Sequence, residues 1–312
     1  MLKDIINAVI IKGNRRKNFR EVAEEWLIYK KNRVKESTYY NYAYCLEKYI
    51  YPKFAKKNIE KIRDYNGYIE ELSKELSPKT VRDIVAKLKS IIKYYEDEYN
   101  TDLKIKQMSL PKLEKSKVRI LANKEKEKLE EHCLNDKTLK SLGIMISLNT
   151  GLRIGEVCAL KWENIDLEEK MIHVKKTLQR VYLRDENKSK VVIGRPKSEC
   201  SIRSIPINKK LYEILKQLKK KHRGNEFVLT GSSEEFIEPR NYQYNFKLIL
   251  KECHIRECKF HALRHTFATN CIEVGMDVKS LSEVLGHSDV NITLNIYVHS
   301  SDKAKKKYLE KL

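Results

Sequence analysis

Five short segments carry residue types that together could attack a phosphate ester: Thr150-Gly151-Leu152-Arg153, Pro196-Lys197-Ser198, His261-Ala262-Leu263-Arg264, Leu285-Gly286-His287 and Asn295-Ile296-Tyr297. Cutting a phosphodiester without a metal needs a nucleophile, cations on the non-bridging oxygens and a proton donor for the departing oxygen. Tyr297 is the candidate nucleophile. A phenol with a pKa of about 10 attacks poorly at neutral pH unless cations and a base assist it; Arg153, Arg264 and Lys197 would be those cations. Arg153 follows a Thr-Gly pair and opens a helical run over 154–160, so its guanidinium stands beside free backbone amides that also favour anions. Glu156, three residues on, shares that helix face and either orients Arg153 or stabilises the helix dipole. His261 and Arg264, also three apart, share a face, which lets the imidazole exchange a proton while the guanidinium holds oxygens in a fork. Lys197 lies in the turn-like Gly194-Arg195-Pro196-Lys197-Ser198, read as a hairpin tip between two β-like runs. Among arginines its pKa is expected to fall, which suits it to protonate a leaving 5′ oxygen. His265 reads as a packing residue beside Phe267 and Ala268. Taken singly, each signal has a plain alternative: a solvated arginine, an exposed hairpin lysine, one tyrosine among 18.

Positioning these groups falls to elements legible as patterns. Phe19, Val22, Ala23, Trp26 and Leu27 follow helical spacing, and Ser37 is expected to cap a second helix that ends at Pro52. Ser77 then Pro78 is a cap followed by the favoured first-turn proline, ahead of the apolar stripe Val81, Ile84, Val85, Leu88, Ile91, Ile92 and Tyr95. A compact helical domain over 19–103 follows. Basic positions Lys30, Lys31 and Arg33, with Lys56 and Lys57, could grip phosphates or simply be solvated helix ends. Residues 104–119 lose the periodicity and carry Lys112, Lys115, Lys117 and Arg119, read as a basic interdomain linker whose lysines would contact a DNA backbone. Beyond it, helical segments around 124–134 and 138–148 precede β-like runs at 171–176, 190–193 and 201–205, and helices return from 209 onward. Strands and helices alternate poorly, so a small antiparallel sheet among helices is expected rather than a parallel one.

The chain has 312 residues, room for two domains, and a formal charge of +21. A polyanion, double-stranded DNA above all, is the expected partner. Seven cysteines are scattered without a framework, and no secretory or membrane-spanning apolar run is visible, so a reduced, cytoplasmic, nucleoid-associated protein with no membrane partner is expected. Cys253, His254, Cys258 and His261 do not make a zinc pattern, and neither a metal nor another cofactor is expected. The first 18 residues, with Leu2, Ile5, Ile6, Val9 and Ile10 at helical spacing, read as a short amphipathic and basic segment.

The joint order of the segments resembles the tyrosine recombinase (phage integrase) family. Thr150 to Glu156, with Leu160-Lys161-Trp162 and Ile165-Asp166, is similar to its first box. Pro196-Lys197 with Ser201, Arg203 and Ile205-Pro206 is similar to its β-hairpin lysine segment, and His261 to Ala268, then Leu285 to Ser288 and Ile296-Tyr297, to its closing boxes. The resemblance implies a mainly α fold with a small antiparallel β-sheet: a helical, SAM-like core-binding domain plus an α+β catalytic domain over 120–312, with a tail from about 302. It implies a site-specific recombinase in which Tyr297 forms a 3′-phosphotyrosine, Arg153, Arg264 and His287 stabilise the transition state, Lys197 is the general acid, His261 assists proton transfer and Glu156 supports Arg153. It implies neither metal nor ATP, exchange through a Holliday junction, a tetramer of this chain on two DNA sites and a tail that packs on a neighbour, and it leaves open a directionality or accessory factor as a further partner. The stretch before residue 19 leaves no room for an arm-site domain, which points to a simple core-site enzyme or a truncated chain. A topoisomerase-like enzyme with the same chemistry and an inactive architectural DNA-binding protein are the competing readings; a two-metal nuclease would need clustered carboxylates.

Overall fold

A computed structural model describes residues 17–113, 119–183, 188–196, 199–297 and 310. The chain forms two compact units, one of residues 1–115 with 181–190, the other of 116–180 with 191–312.

The first unit is helical. Helix α1 (Phe19–Lys31) starts at a capping box: the Asn18 side chain accepts from the Glu21 amide, and Glu21 accepts from the Asn18 amide, each at 3.0 Å. Its buried face is the stripe Phe19, Val22, Ala23, Trp26, Leu27, and the Trp26 indole donates to Ser90 Oγ at 3.0 Å. Helix α2 (Glu36–Cys45) begins one residue before Ser37, with Lys35 as its N-cap. It does not stop at Pro52. A π-helical turn, Leu46–Ile50, leads straight into α3 (Tyr51–Phe54), where Pro52 occupies a first-turn position. The ladder slips by one residue there, with the Tyr51 amide donating to the Leu46 carbonyl, so a proline without an N–H meets a helix start rather than an interior. Helix α4 (Asn66–Glu75) precedes α5 (Pro78–Tyr99), which Ser77 caps and Pro78 opens as its sequence predicts.

The stretch after α5 is not a free tether at its start. Leu103 and Met108 are buried in the helical core. The Lys106 amide donates to the Arg63 carbonyl, the Ser109 amide to Asn66 Oδ1, and Arg82 to the Pro111 carbonyl. Lys112 is exposed, and Lys115 and Lys117 lie outside the described residues.

The second unit packs helices around α7 (Leu139–Thr150), which is buried along nearly its whole length. Against it lie α6 (Asn123–Asp136), α8 (Ile154–Cys158), α9 (Lys209–Lys219), α10 (Pro239–Glu252) and α11 (His261–Glu273). Helices α12 (Val278–Leu285) and α13 (Val290–Tyr297) complete the described chain on the α11 side. Strands β1 (Ile165–Asp166), β2 (Met171–Val174) and β5 (Arg203–Pro206) form an antiparallel sheet in the order β1-β2-β5, with Ile165 opposite Ile172 and Val174 opposite Arg203. Ile172, Val174 and Ile205 face the core on alternate positions. Strands β3 (Thr177–Leu183) and β4 (Lys188–Gly194) pair with each other as a separate two-stranded sheet. The fold is therefore mainly α with small antiparallel sheet structure.

This topology refines one expectation. The two runs that flank the Lys197 segment, β4 and β5, are not paired with each other; β5 takes β2 as its antiparallel partner, so the segment falls within the long connection between those two paired strands. It leads from β4 to β5 through a single helical turn, Glu199–Ser201. Lys197 and Ser198 themselves lie outside the described residues, as does the tail apart from Glu310. Among the described residues no helix is long and apolar enough to cross a membrane, and no group of His, Cys, Asp or Glu is arranged to hold a metal ion.

Candidate active site

Four of the six candidate reactive side chains meet where three helix ends converge. Helix α7 ends at Gly151, whose φ of +67° turns the chain so that Arg153 becomes the N-cap of α8. Helix α12 ends at Gly286, φ +65°, which delivers His287. Both sites demand glycine. A Cβ on Gly151 would lie 2.6 Å from the Phe267 ring, and one on Gly286 would lie 2.9 Å from the Cys200 carbonyl and 3.0 Å from Arg203. Helix α11 begins at His261 and carries Arg264 on its first turn.

Arg264 is fully buried. Its Nη1 donates to the Gly151 carbonyl at 2.9 Å and its Nη2 to the Leu285 carbonyl at 2.7 Å, with Nη2 also 2.8 Å from His287 Nε2. Arg153 donates through Nη2 to the neighbouring Gly286 carbonyl at 3.2 Å and through Nη1 to Glu156 Oε1 at 2.9 Å. Its side chain stays 34% exposed, so a guanidinium fixed on one side is open to an anion on the other.

Glu156 is only 3% exposed, and the sequence pairs it with one arginine where the structure provides two. Arg203, at the start of β5, donates Nη1 to Glu156 Oε1 at 3.2 Å and Nη2 to Oε2 at 3.0 Å. Its Nε donates to the Val284 carbonyl at 2.6 Å. Burial pushes the Glu156 pKa up, but Arg203 and then Arg153 outweigh it, so the carboxyl sits below its ordinary value and remains charged. In the sequence Arg203 stands within the Ser201 to Pro206 run without a role of its own. Its partner Glu156 lies 47 residues away along the chain, so no local pattern announces the pair.

Three histidines surround the corner, each with its pKa lowered to about 4. For His261, which keeps solvent exposure, loss of hydration leads and His265, Arg264 and Arg153 follow. Its ring meets His265 edge to face at 4.5 Å. For His265 and His287 burial also leads, followed by Arg264, with Arg153 and Arg203 adding at His287. All three are therefore neutral at neutral pH, and the first can accept a proton. Tyr297 is the last residue of α13.

Of the other basic candidates, Lys30, Lys31, Arg33 and Lys112 lie in the first unit. Lys30 and Lys31 end α1, where they also complement its dipole. Lys30 and Arg33 both stand over the exposed ring of Tyr29, at 5.3 and 3.7 Å from its centroid. The result is an aromatic platform with a cationic rim, a form suited to a sugar-phosphate backbone.

A family model described as "Phage integrase family" matches residues 114–304, and one described as "Phage integrase, N-terminal SAM-like domain" matches 18–66. A tyrosine recombinase XerC-like protein of Caldanaerobacter subterraneus is 34% identical over 214 residues, which are 63% of this chain and 54% of that protein. The ICEBs1 integrase of Bacillus subtilis is 27% identical over 89% of this chain and 78% of its own. The chain spans about half the length of the first curated relatives it matches. Among solved structures, the integrase of transposon Tn1549 in complex with transposon right end DNA superposes with a TM-score of 0.76 at 22% identity, over 95% of this chain and 99% of that one, a likeness of fold. A crossed pair of arginines at two helix-ending glycines, on this fold and within a family model covering well over half of the sequence, leads to one conclusion: the chain belongs to the phage integrase family.

Proposed function

We propose that this chain is a site-specific DNA recombinase that cuts and rejoins duplex DNA through a 3′-phosphotyrosine. The observation that carries the reading is the convergence of Arg153, Arg264 and His287 on the turn Leu285 to His287. Two anchored guanidiniums beside an imidazole are a preorganised cradle for the charge of a pentacoordinate phosphorus.

Tyr297 Oη attacks the scissile phosphorus and its proton passes to His261, whose neutral ring is competent to take it. The O5′–phosphorus bond breaks as the tyrosyl bond forms, and Lys197 donates a proton to O5′. The number of phosphoester bonds is unchanged, so a partner strand's 5′ hydroxyl can reverse the step with neither ATP nor a metal. Two such exchanges through a Holliday junction, in a tetramer of this chain on two sites, complete recombination. The +21 charge and the basic platform at Tyr29 support DNA as the partner. Acting on DNA, the protein would work in the cytoplasm at the nucleoid, in integration, excision or dimer resolution, with a directionality or accessory factor as a further partner.

The test is covalent trapping. A duplex selected from random-sequence DNA by its binding to the protein, then nicked beside the cut to prevent religation, is incubated with chelator present. A covalent adduct with wild type and none with Tyr297→Phe is expected. No adduct from either, on DNA that both bind, would replace this reading with that of an architectural protein.

A further inference from the structure

His287 is held at both ring nitrogens, by Arg264 Nη2 at 2.8 Å from Nε2 and by Thr293 Oγ1 at 2.8 Å from Nδ1. A guanidinium can only donate, so Nε2 is the acceptor and bears no proton. The ring is then the neutral tautomer with its proton on Nδ1, donating to the threonine hydroxyl. Thr293 is completely buried on α13, one helical turn before Tyr297.

That tautomer cannot serve a phosphate. An anion seated on Arg264 competes for the guanidinium, and His287 can meet an anionic oxygen only if Nε2 carries a proton. One route takes a proton from solvent: the ring becomes imidazolium and Nδ1–H still donates to Thr293. The other releases the Nδ1 proton to solvent as Nε2 gains one, and the Thr293 hydroxyl turns to donate to Nδ1. A hydroxyl accepts or donates and so keeps the contact in both states; an aliphatic side chain keeps neither. Burial first, and then Arg264, Arg153, Arg203 and His261, which face the ring, oppose its charged form in the free protein, and a bound phosphate offsets the arginines' part of that opposition.

We infer that Thr293 is a positioning residue that holds His287 through this change of donor pattern and so ties phosphate occupancy to the helix bearing Tyr297. The inference rests on the recombinase reading above, and the same trapping assay separates the two. Four forms of the full chain are compared with wild type on the selected nicked duplex: Thr293→Val, Thr293→Ser, His287→Ala, and Thr293→Val with His287→Ala. Thr293→Val is expected to bind DNA within about 3-fold of wild type yet form adduct about 10-fold more slowly, the scale of one lost hydrogen bond. Thr293→Ser restores most of the rate, and in the His287→Ala background Thr293→Val costs almost nothing more. A residue that merely packs its helix would cost the same with or without His287, and that outcome overturns the inference, as does wild-type cleavage by Thr293→Val. No adduct from wild type itself overturns the recombinase reading and this role together. Nitrogen-15 NMR of the free wild-type protein is an independent check, since it requires His287 to be protonated at Nδ1; a ring protonated at Nε2 alone refutes the starting geometry.

Discussion

Arg153 and Arg264 are held crosswise. Arg264 donates to the carbonyl of Gly151, two residues before Arg153, while Arg153 donates to the carbonyl of Gly286, just before His287, at 2.9 and 3.2 Å. Each arginine is aimed by the chain that delivers another functional residue, so the cradle forms as a unit.

Arg153→Ala should lower adduct formation by roughly 10²-fold or more, the scale of one preorganised transition-state donor. DNA affinity, spread over many phosphates, should change far less. Single-turnover trapping at saturating protein separates the two, and near-normal trapping would remove Arg153 from the site.

Arg203→Met should be costly to the fold itself. It leaves the Glu156 carboxylate, 3% exposed, beside one arginine in place of two. Breaking a buried pair from one side costs about 3 kcal/mol or more, readable as a lower urea midpoint. An unchanged midpoint would make Arg203 a spectator.

Acid should destabilise the free protein before the carboxylates titrate. His261, His265 and His287 have pKa values near 4 when folded, against about 6.5 when unfolded. Their stabilising effect is complete above the unfolded value and declines as pH falls toward the folded one, because the unfolded chain takes up protons first. Scanning calorimetry at pH 7.5 and 5.0 should find the melting temperature lower at pH 5.0 by about 5 °C or more. Replacing the three histidines by glutamine should flatten that dependence.

Where His287 becomes imidazolium on binding, the first of its two routes, DNA binding takes up a proton. Burial does most to hold His287 neutral and the field of Arg264, Arg153 and Arg203 adds to it; a phosphate among Arg153, Arg264 and His287 offsets that second part. Affinity at fixed salt should therefore rise as pH is lowered from about 8 to 6. Titration calorimetry should give a binding enthalpy that depends on the buffer's ionisation heat, and a heat independent of buffer would refute the linkage.

What could be read in advance followed the range of each interaction. The stripe from Phe19 to Leu27 and the Ser77-Pro78 helix start are local, set by spacing and capping within a few residues, and both stand as expected. Pro52 misled because a π turn just before it moves the ladder by one residue, which proline spacing alone does not reveal. Leu103 and Met108 are five apart and pack from extended chain, so no helical or strand period announces them as core. The partner of β5 was not legible, because it pairs with β2 across nearly thirty residues, a non-local choice that skips the intervening β3 and β4. In the site, Arg153, His261, Arg264 and His287 were legible from their types and order. Arg203 and Thr293 were not, since each acts through a partner that only tertiary structure supplies.

The two helix-ending glycines also bear on how such a gene decays. An alanine at Gly151 or Gly286 would strain a left-handed turn and push against Phe267 or the Cys200 carbonyl, moving the carbonyls that aim both arginines. A copy damaged there would retain every reactive side chain and still be silent. In judging which copies of such a sequence remain active, these two backbone positions carry as much information as the tyrosine.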